Sequence, residues 1–134
     1  MSAASNYLED KVLNHTLGNA SYAQPTIYIG LFTNDSTNAS VNLEAGTLSD
    51  EVSGGGYARQ TIDFGESSGG TASNNATVTF PTATANQGTI SHVAIMDAVT
   101  GGNVLFYGSV TTAKQIQNGD TFQISNGNLS ISLA

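Results

Sequence analysis

The residues of this 134-residue chain with the most chemical potential stand close together. The stretch EVSGGGYARQTIDFG, residues 51 to 65, runs three consecutive glycines into Tyr57 and then Arg59, the single arginine of the chain. A glycine-rich turn beside a cation could cradle a phosphate. That chemistry needs a Gly-Lys-Ser/Thr ending and a helix N-terminus aimed at the anion. No lysine lies in this stretch, and a period-two pattern follows it. Glycine tolerates positive φ and close backbone approach, so the run reads as a swivel into a strand. Alternation then puts Ala58, Ile62 and Phe64 on an inner face, with Tyr57 and Arg59 outside. Tyr and Arg are common anchors of protein interfaces, so both are candidate contact residues. The competing role for Arg59 is an internal ion pair with Asp63 or a carboxylate on a neighbouring strand. On the outer-face reading, Arg59→Ala leaves the domain folded.

The remaining groups offer less. His15 and His92 are too far apart in sequence to form a metal signature. His15 falls near a helix end, where a cation interacts favourably with the dipole. His92 lies in an apolar strand and reads as a hydrogen-bonded core residue. The chain has no cysteine, hence no disulfide, thiol nucleophile or zinc–thiolate site. No G-x-S-x-G elbow supports a serine hydrolase. The carboxylates are scattered, and Asp97 and Asp120 stand beside turns, where Asp satisfies local backbone donors. A non-enzymatic protein with no metal and no cofactor is the expectation.

These residues need elements to hold them. SNYLEDKVLNHTLGN carries the helical signal: Ser5 or Asn6 can cap, Glu9 completes a capping-box spacing with Asn6, and Gly18 is a stop. The reading is one helix from Asn6 to Leu17, preceded by a small-residue tail, Met1, Ser2, Ala3, Ala4 and Ser5, able to order on binding. TIYIGLFT, residues 26 to 33, is apolar on both faces and reads as a central strand covered on both sides. Residues 34 to 56 read as a long polar loop, of which residues 34 to 53 are expected to be surface-exposed and dispensable for folding, and GESSGGTASNN as a flexible turn region. TISHVAIMDA and NVLFYGSV form a hairpin across VTGG. DTFQIS and NLSISL form a second hairpin across a type I′ turn at Asn126-Gly127, with Phe122, Ile124, Leu129, Ile131 and Leu133 inward. The sum is a single mainly β domain. It is an antiparallel β-sandwich or compact barrel of about seven or eight short strands with one N-terminal helix.

Three cations, Lys11, Arg59 and Lys114, stand against ten carboxylates, for a net charge of −7. Such a surface repels a phosphate backbone, so nucleic acid is not an expected partner. No segment has the length and apolarity of a membrane span, and no signal peptide is visible at the start.

The order of NYLEDKVLNHTLG, PTIYIGLFT, EVSGGGYARQTIDFG, the ATVTF-to-YGSV segment and NGDTFQISNGNLSISL resembles the small phage virion proteins labelled tail-fibre proteins, as in mycobacteriophages. It also resembles phage capsid decoration, or cement, proteins. The triglycine stretch and the HVAIMDA/NVLFYG hairpin are the most specific parts of the likeness, and residues 34 to 50 are longer than its usual loop. The resemblance implies a virion structural protein that forms a homo-oligomer. The length leaves no room for a fibre shaft beside an attachment domain. That turns the expectation toward a cement protein on the capsid surface, partnered by the major capsid protein. The alternative is a tail or fibre component partnered by tail proteins. A sugar-binding module or carbohydrate-active enzyme is a third reading, which the absence of tryptophan and of paired carboxylates disfavours.

Overall fold

A computed structural model describes residues 2–133, so Met1, one of the candidate contact residues, lies outside the described residues. In chain order the elements are β1 (Ser2–Ala4), α1 (Asn6–Thr16), β2 (Tyr28–Phe32), α2 (Ala39–Ala45), β3 (Gln60–Thr61), β4 (Thr71–Ser73), β5 (Val78–Thr79), β6 (Gly88–Met96), β7 (Val104–Ile116), β8 (Gln123–Ile124) and β9 (Ser130–Ser132). Five strands form one antiparallel sheet in the order β1-β7-β6-β2-β3, and two ribbons, β4–β9 and β5–β8, stand apart from it. The fold is mainly β and sandwich-like, as expected. Among the described residues no helix is long and apolar enough to cross a membrane.

β2 supplies the reason for the layering. Its pleat sends Ile29 and Leu31 into the main core, with Val93, Ile95 and Leu105 of the hairpin and Val78, Phe80 and Phe122 from the ribbon side. Phe32 points the other way, into a second cluster with Leu43, Ala94, Met96 and Val104. Each of Ile29, Leu31 and Phe32 is fully buried. The strand is covered on both faces, as its two-sided apolar pattern predicts.

The second cover corrects the sequence reading. It comes from α2, inside the segment read as a dispensable polar loop. Ala39 and Leu43, four residues apart on one helical face, are buried, and Gly46 ends the helix at φ 82°. Val52 and Asp50 are buried as well. The polar majority of residues 34 to 56 faces water or closes local hydrogen bonds, while a few side chains complete the core.

Ser5 ties the start of the chain down. Its hydroxyl accepts from the Leu8 N–H at 3.3 Å, capping α1, and donates to the Val104 carbonyl of β7. Residues Ser2 to Ala4 pair antiparallel with β7, Ser2 opposite Gly108 and Ala4 opposite Phe106. The tail expected to be free over Ser2 to Ser5 is therefore an edge strand and a buried cap.

Three further expectations change. Residues 71 to 73, within the stretch read as flexible, form β4 and pair with β9. β8 pairs with β5 rather than β9, so the second hairpin does not form as a two-stranded unit. Its turn has a positive φ at Gly127 alone, and the Asn128 N–H donates to the Ser125 carbonyl at 3.0 Å. That is the pattern of a type II turn, which lets the chain diverge; a type I′ turn needs positive φ at both central residues. Leu133 is 57% exposed rather than inward. With these additions the strands number nine among the described residues.

Candidate functional site

The triglycine stretch lies on the open edge of β2. β3 covers the start of that edge, Tyr28 opposite Thr61 and Ile29 opposite Gln60. Residues 50 to 52 cover the far end: the Thr33 N–H donates to the Asp50 carbonyl at 2.9 Å, and the Val52 N–H to the Leu31 carbonyl at 3.0 Å. Between these pieces residues 53 to 59 swing out opposite Gly30. Gly54, Gly55 and Gly56 all take positive φ, at 80°, 63° and 78°. A side chain at any of them would be strained, which is why the swivel is built of glycine. The turn also presents the Gly55 carbonyl to the Thr84 N–H at 3.0 Å and to Gln87 Nε2 at 2.9 Å.

Tyr57 and Arg59 then fold back rather than outward. The excursion leaves the Leu31 N–H without a strand partner, and this N–H donates to Tyr57 Oη at 3.0 Å. Tyr57 Oη in turn donates to Glu51 Oε2 at 2.7 Å. Gly30 makes the approach possible, since a Cβ there would lie 3.0 Å from Tyr57 Oη and 3.1 Å from Glu51 Oε2. The Tyr57 ring stacks on Phe80 at 6.3 Å between centroids.

Arg59 closes the same cluster. Its Nε and Nη2 donate to the two carboxylate oxygens of Glu51, both at 2.7 Å. Its Nη1 donates to the carbonyls of Ala98 and Gly101, at 2.7 and 2.8 Å, in the turn between β6 and β7. The Arg59 side chain is 2% exposed and that of Glu51 17%. Burial opposes the Arg59 charge, but the hydrogen bonds and charge of Glu51 outweigh it and raise its pKa. Burial first, then the bond to Glu51, pushes the Tyr57 hydroxyl far above its ordinary value. The guanidinium thus fastens the β2 edge to the hairpin turn.

The outer-face placement of Arg59 is thereby corrected. Arg59 is buried and Ala58 exposed, because the strand begins only at Gln60 and the alternation does not extend back through the turn. The ion pair considered as its alternative role exists, but with Glu51, eight residues upstream. Asp63 is exposed and outside the cluster. The pairing was hard to foresee, since Glu51 stands in a segment read as loop.

A second polar cluster fastens α2. Ser40 Oγ lies 3.1 Å from His92 Nε2, and Ser91 Oγ lies 2.8 Å from Nδ1. His92 is a buried, hydrogen-bonded strand residue, as predicted, and burial lowers its pKa while the nearby Asp50 charge opposes that shift. Asp50 itself accepts from the Ser36 N–H at 3.1 Å and the Ser36 hydroxyl at 2.5 Å. The two carboxylates read as turn residues behave as their positions predict: Asp97 accepts from the Asn103 N–H at 2.7 Å and Asp120 from the Gln117 N–H at 2.8 Å. His15, near the end of α1, accepts from the Tyr22 N–H through Nδ1 at 3.1 Å.

Fold and site together define a mainly β, sandwich-like domain whose single arginine is an internal fastening. A family model described as Podophage GP4 fiber I protein gp80 matches residues 3–132, and the chain belongs to that family. No curated protein matches the chain. The family is one of phage fibre proteins, and the chain is a phage virion structural protein. The fibre-family model runs over nearly all of these residues, and a tail-fibre protein fits that family better than the shell cement that chain length favoured.

Proposed function

We propose that the chain is a non-enzymatic fibre component of the phage tail, held in the particle by contacts with other tail proteins and with further copies of itself. One observation carries this reading: the match to a fibre-protein family over residues 3–132. That family fits a tail fibre better than it fits capsid decoration. The structure adds a consistent role for the chain's polar residues. Glu51, Tyr57, Arg59 and His92 are engaged in holding segments to the sheet. With Arg59 spent internally, the contacts depend little on ion pairing, and attachment changes little between low and moderate salt.

The test is location and copy number. Antibody–gold label on purified particles is expected at the tail, with few copies relative to the major capsid protein and no binding of purified protein to tail-less shells. Label spread over the shell at a ratio matching its lattice would overturn the fibre reading in favour of cement.

A further inference from the structure

Away from the Arg59 fork, the fold brings a nucleophilic group and a base together. Ser40 stands on α2 and is exposed, while His92 stands on β6 and is buried. Ser40 Oγ lies 3.1 Å from His92 Nε2, the one hydrogen bond its hydroxyl makes among the described residues. The other ring nitrogen, Nδ1, lies 2.8 Å from Ser91 Oγ. Both ring nitrogens are held, so the imidazole cannot turn without losing a bond. With the Nδ1 proton donated to Ser91 Oγ, the Nε2 lone pair faces the Ser40 hydroxyl. A hydroxyl, a base within hydrogen-bond reach and a third group orienting that base are the parts that activate a serine. Here the base is dry and the nucleophile is open to reagents.

We infer that Ser40 is a reactive serine, a modification site that takes one acyl group from an activated ester. Ser40 Oγ attacks the ester carbonyl carbon while its proton passes to His92 Nε2. The adduct then collapses: the bond to the leaving oxygen breaks, that oxygen keeps the electron pair, and His92 returns the proton to it or to water. Ser40 is left esterified, with no change of oxidation state. Burial keeps the imidazole neutral, the form that accepts a proton, and the Asp50 charge favours the imidazolium that follows. Glu44, one turn along α2 from Ser40, and Asp50 both disfavour an anionic donor, so the ester is a neutral one. One stoichiometric acylation requires no turnover and is independent of where in the virion the chain sits.

The experiment treats the purified full chain with p-nitrophenyl acetate and maps the acetylated residues by peptide mass spectrometry. Ser40 is expected to be acetylated at least tenfold faster than any other serine. His92→Gln should slow Ser40 acetylation at least tenfold, and His92→Asn keeps the test valid if the first variant fails to fold. Ser91→Ala should slow it several-fold by freeing the ring. In the unaltered chain the rate should rise with pH through the lowered pKa of His92 and then level, with Asp50 the charged group acting on the ring, whereas an unassisted serine keeps accelerating with hydroxide. Acetylation of Ser40 no faster than that of the other serines, an undiminished rate in the folded His92 variants, or a rate that never levels would overturn the inference and leave the Ser40–His92 bond as a fastening alone.

Discussion

Two fastenings hold the long excursion between β2 and β3 to the sheet, and they are built in opposite ways. Glu51 and Arg59 form a charged fork, nearly dry on the arginine side, whose spare N–H groups reach two carbonyls of the β6–β7 turn. Ser40 and His92 form a neutral bond between an exposed helical serine and a buried strand imidazole. The fork concentrates many bonds in one side chain, and its guanidinium, with a raised pKa, stays charged at ordinary pH. The imidazole bond is weaker and lies within reach of mild acid. A buried charge makes a fold depend on a single residue, whereas a neutral contact distributes that dependence and leaves it titratable.

The largest effect is expected from breaking the fork. Arg59→Ala leaves the Glu51 carboxylate without its counter-charge and two carbonyls without their arginine donor, and should destabilise the domain by about 3–5 kcal/mol, read from urea unfolding. This reverses the expectation that the outer-face reading gave. Arg59→Lys should recover only part of the loss, because an ammonium cannot reproduce the planar fork. Next comes the helix that the neutral bond secures: Leu43→Ala opens the second cluster and should cost about 2–5 kcal/mol. An unchanged midpoint there would restore the reading of residues 34 to 53 as dispensable. Tyr57→Phe removes the acceptor of the Leu31 N–H and should cost about 1–3 kcal/mol.

The smallest effect is the one that separates the two fastenings. Burial lowers the folded-state pKa of His92 below its ordinary value of about 6.5. As pH falls through that value, the unfolded chain takes up this proton before the folded one does. Stability is therefore full above about 6.5 and declines below it, down to the folded pKa. His92→Gln should flatten that decline between pH 7.5 and 5 in thermal unfolding, while Arg59 variants keep it. A decline of equal size in His92→Gln would assign the acid sensitivity to other groups.

Much of the fold was legible because period and punctuation agreed. Ser5 and Gly18 bracketed α1, and the two-faced apolar pattern of residues 26 to 33 marked the central strand. The VTGG turn marked the β6–β7 hairpin. What failed did so for local reasons. α2 is short, and its apolar pair Ala39 and Leu43 is diluted by Ser, Asn and an exposed Val41, though Gly46 was a usable stop signal. β4 lacks the apolar alternation that marked β9, and the two strands add Ser–Thr and Ser–Ser hydroxyl contacts to their pairing. At the site, the glycines read correctly as a swivel, but strand alternation was extended through a turn where no strand exists. A tertiary pairing across eight residues, Glu51 to Arg59, has no periodicity to announce it.

The central claim is that the chain's single arginine fastens the fold from within. A double-mutant cycle on Glu51→Gln and Arg59→Met, followed by equilibrium unfolding, tests it most directly. A coupling energy of at least about 2 kcal/mol, with the double variant far more stable than the two single losses add up to, is the expected result. A coupling below about 0.5 kcal/mol, the size of an exposed surface pair, would contradict it and return Arg59 to the candidates for a contact surface.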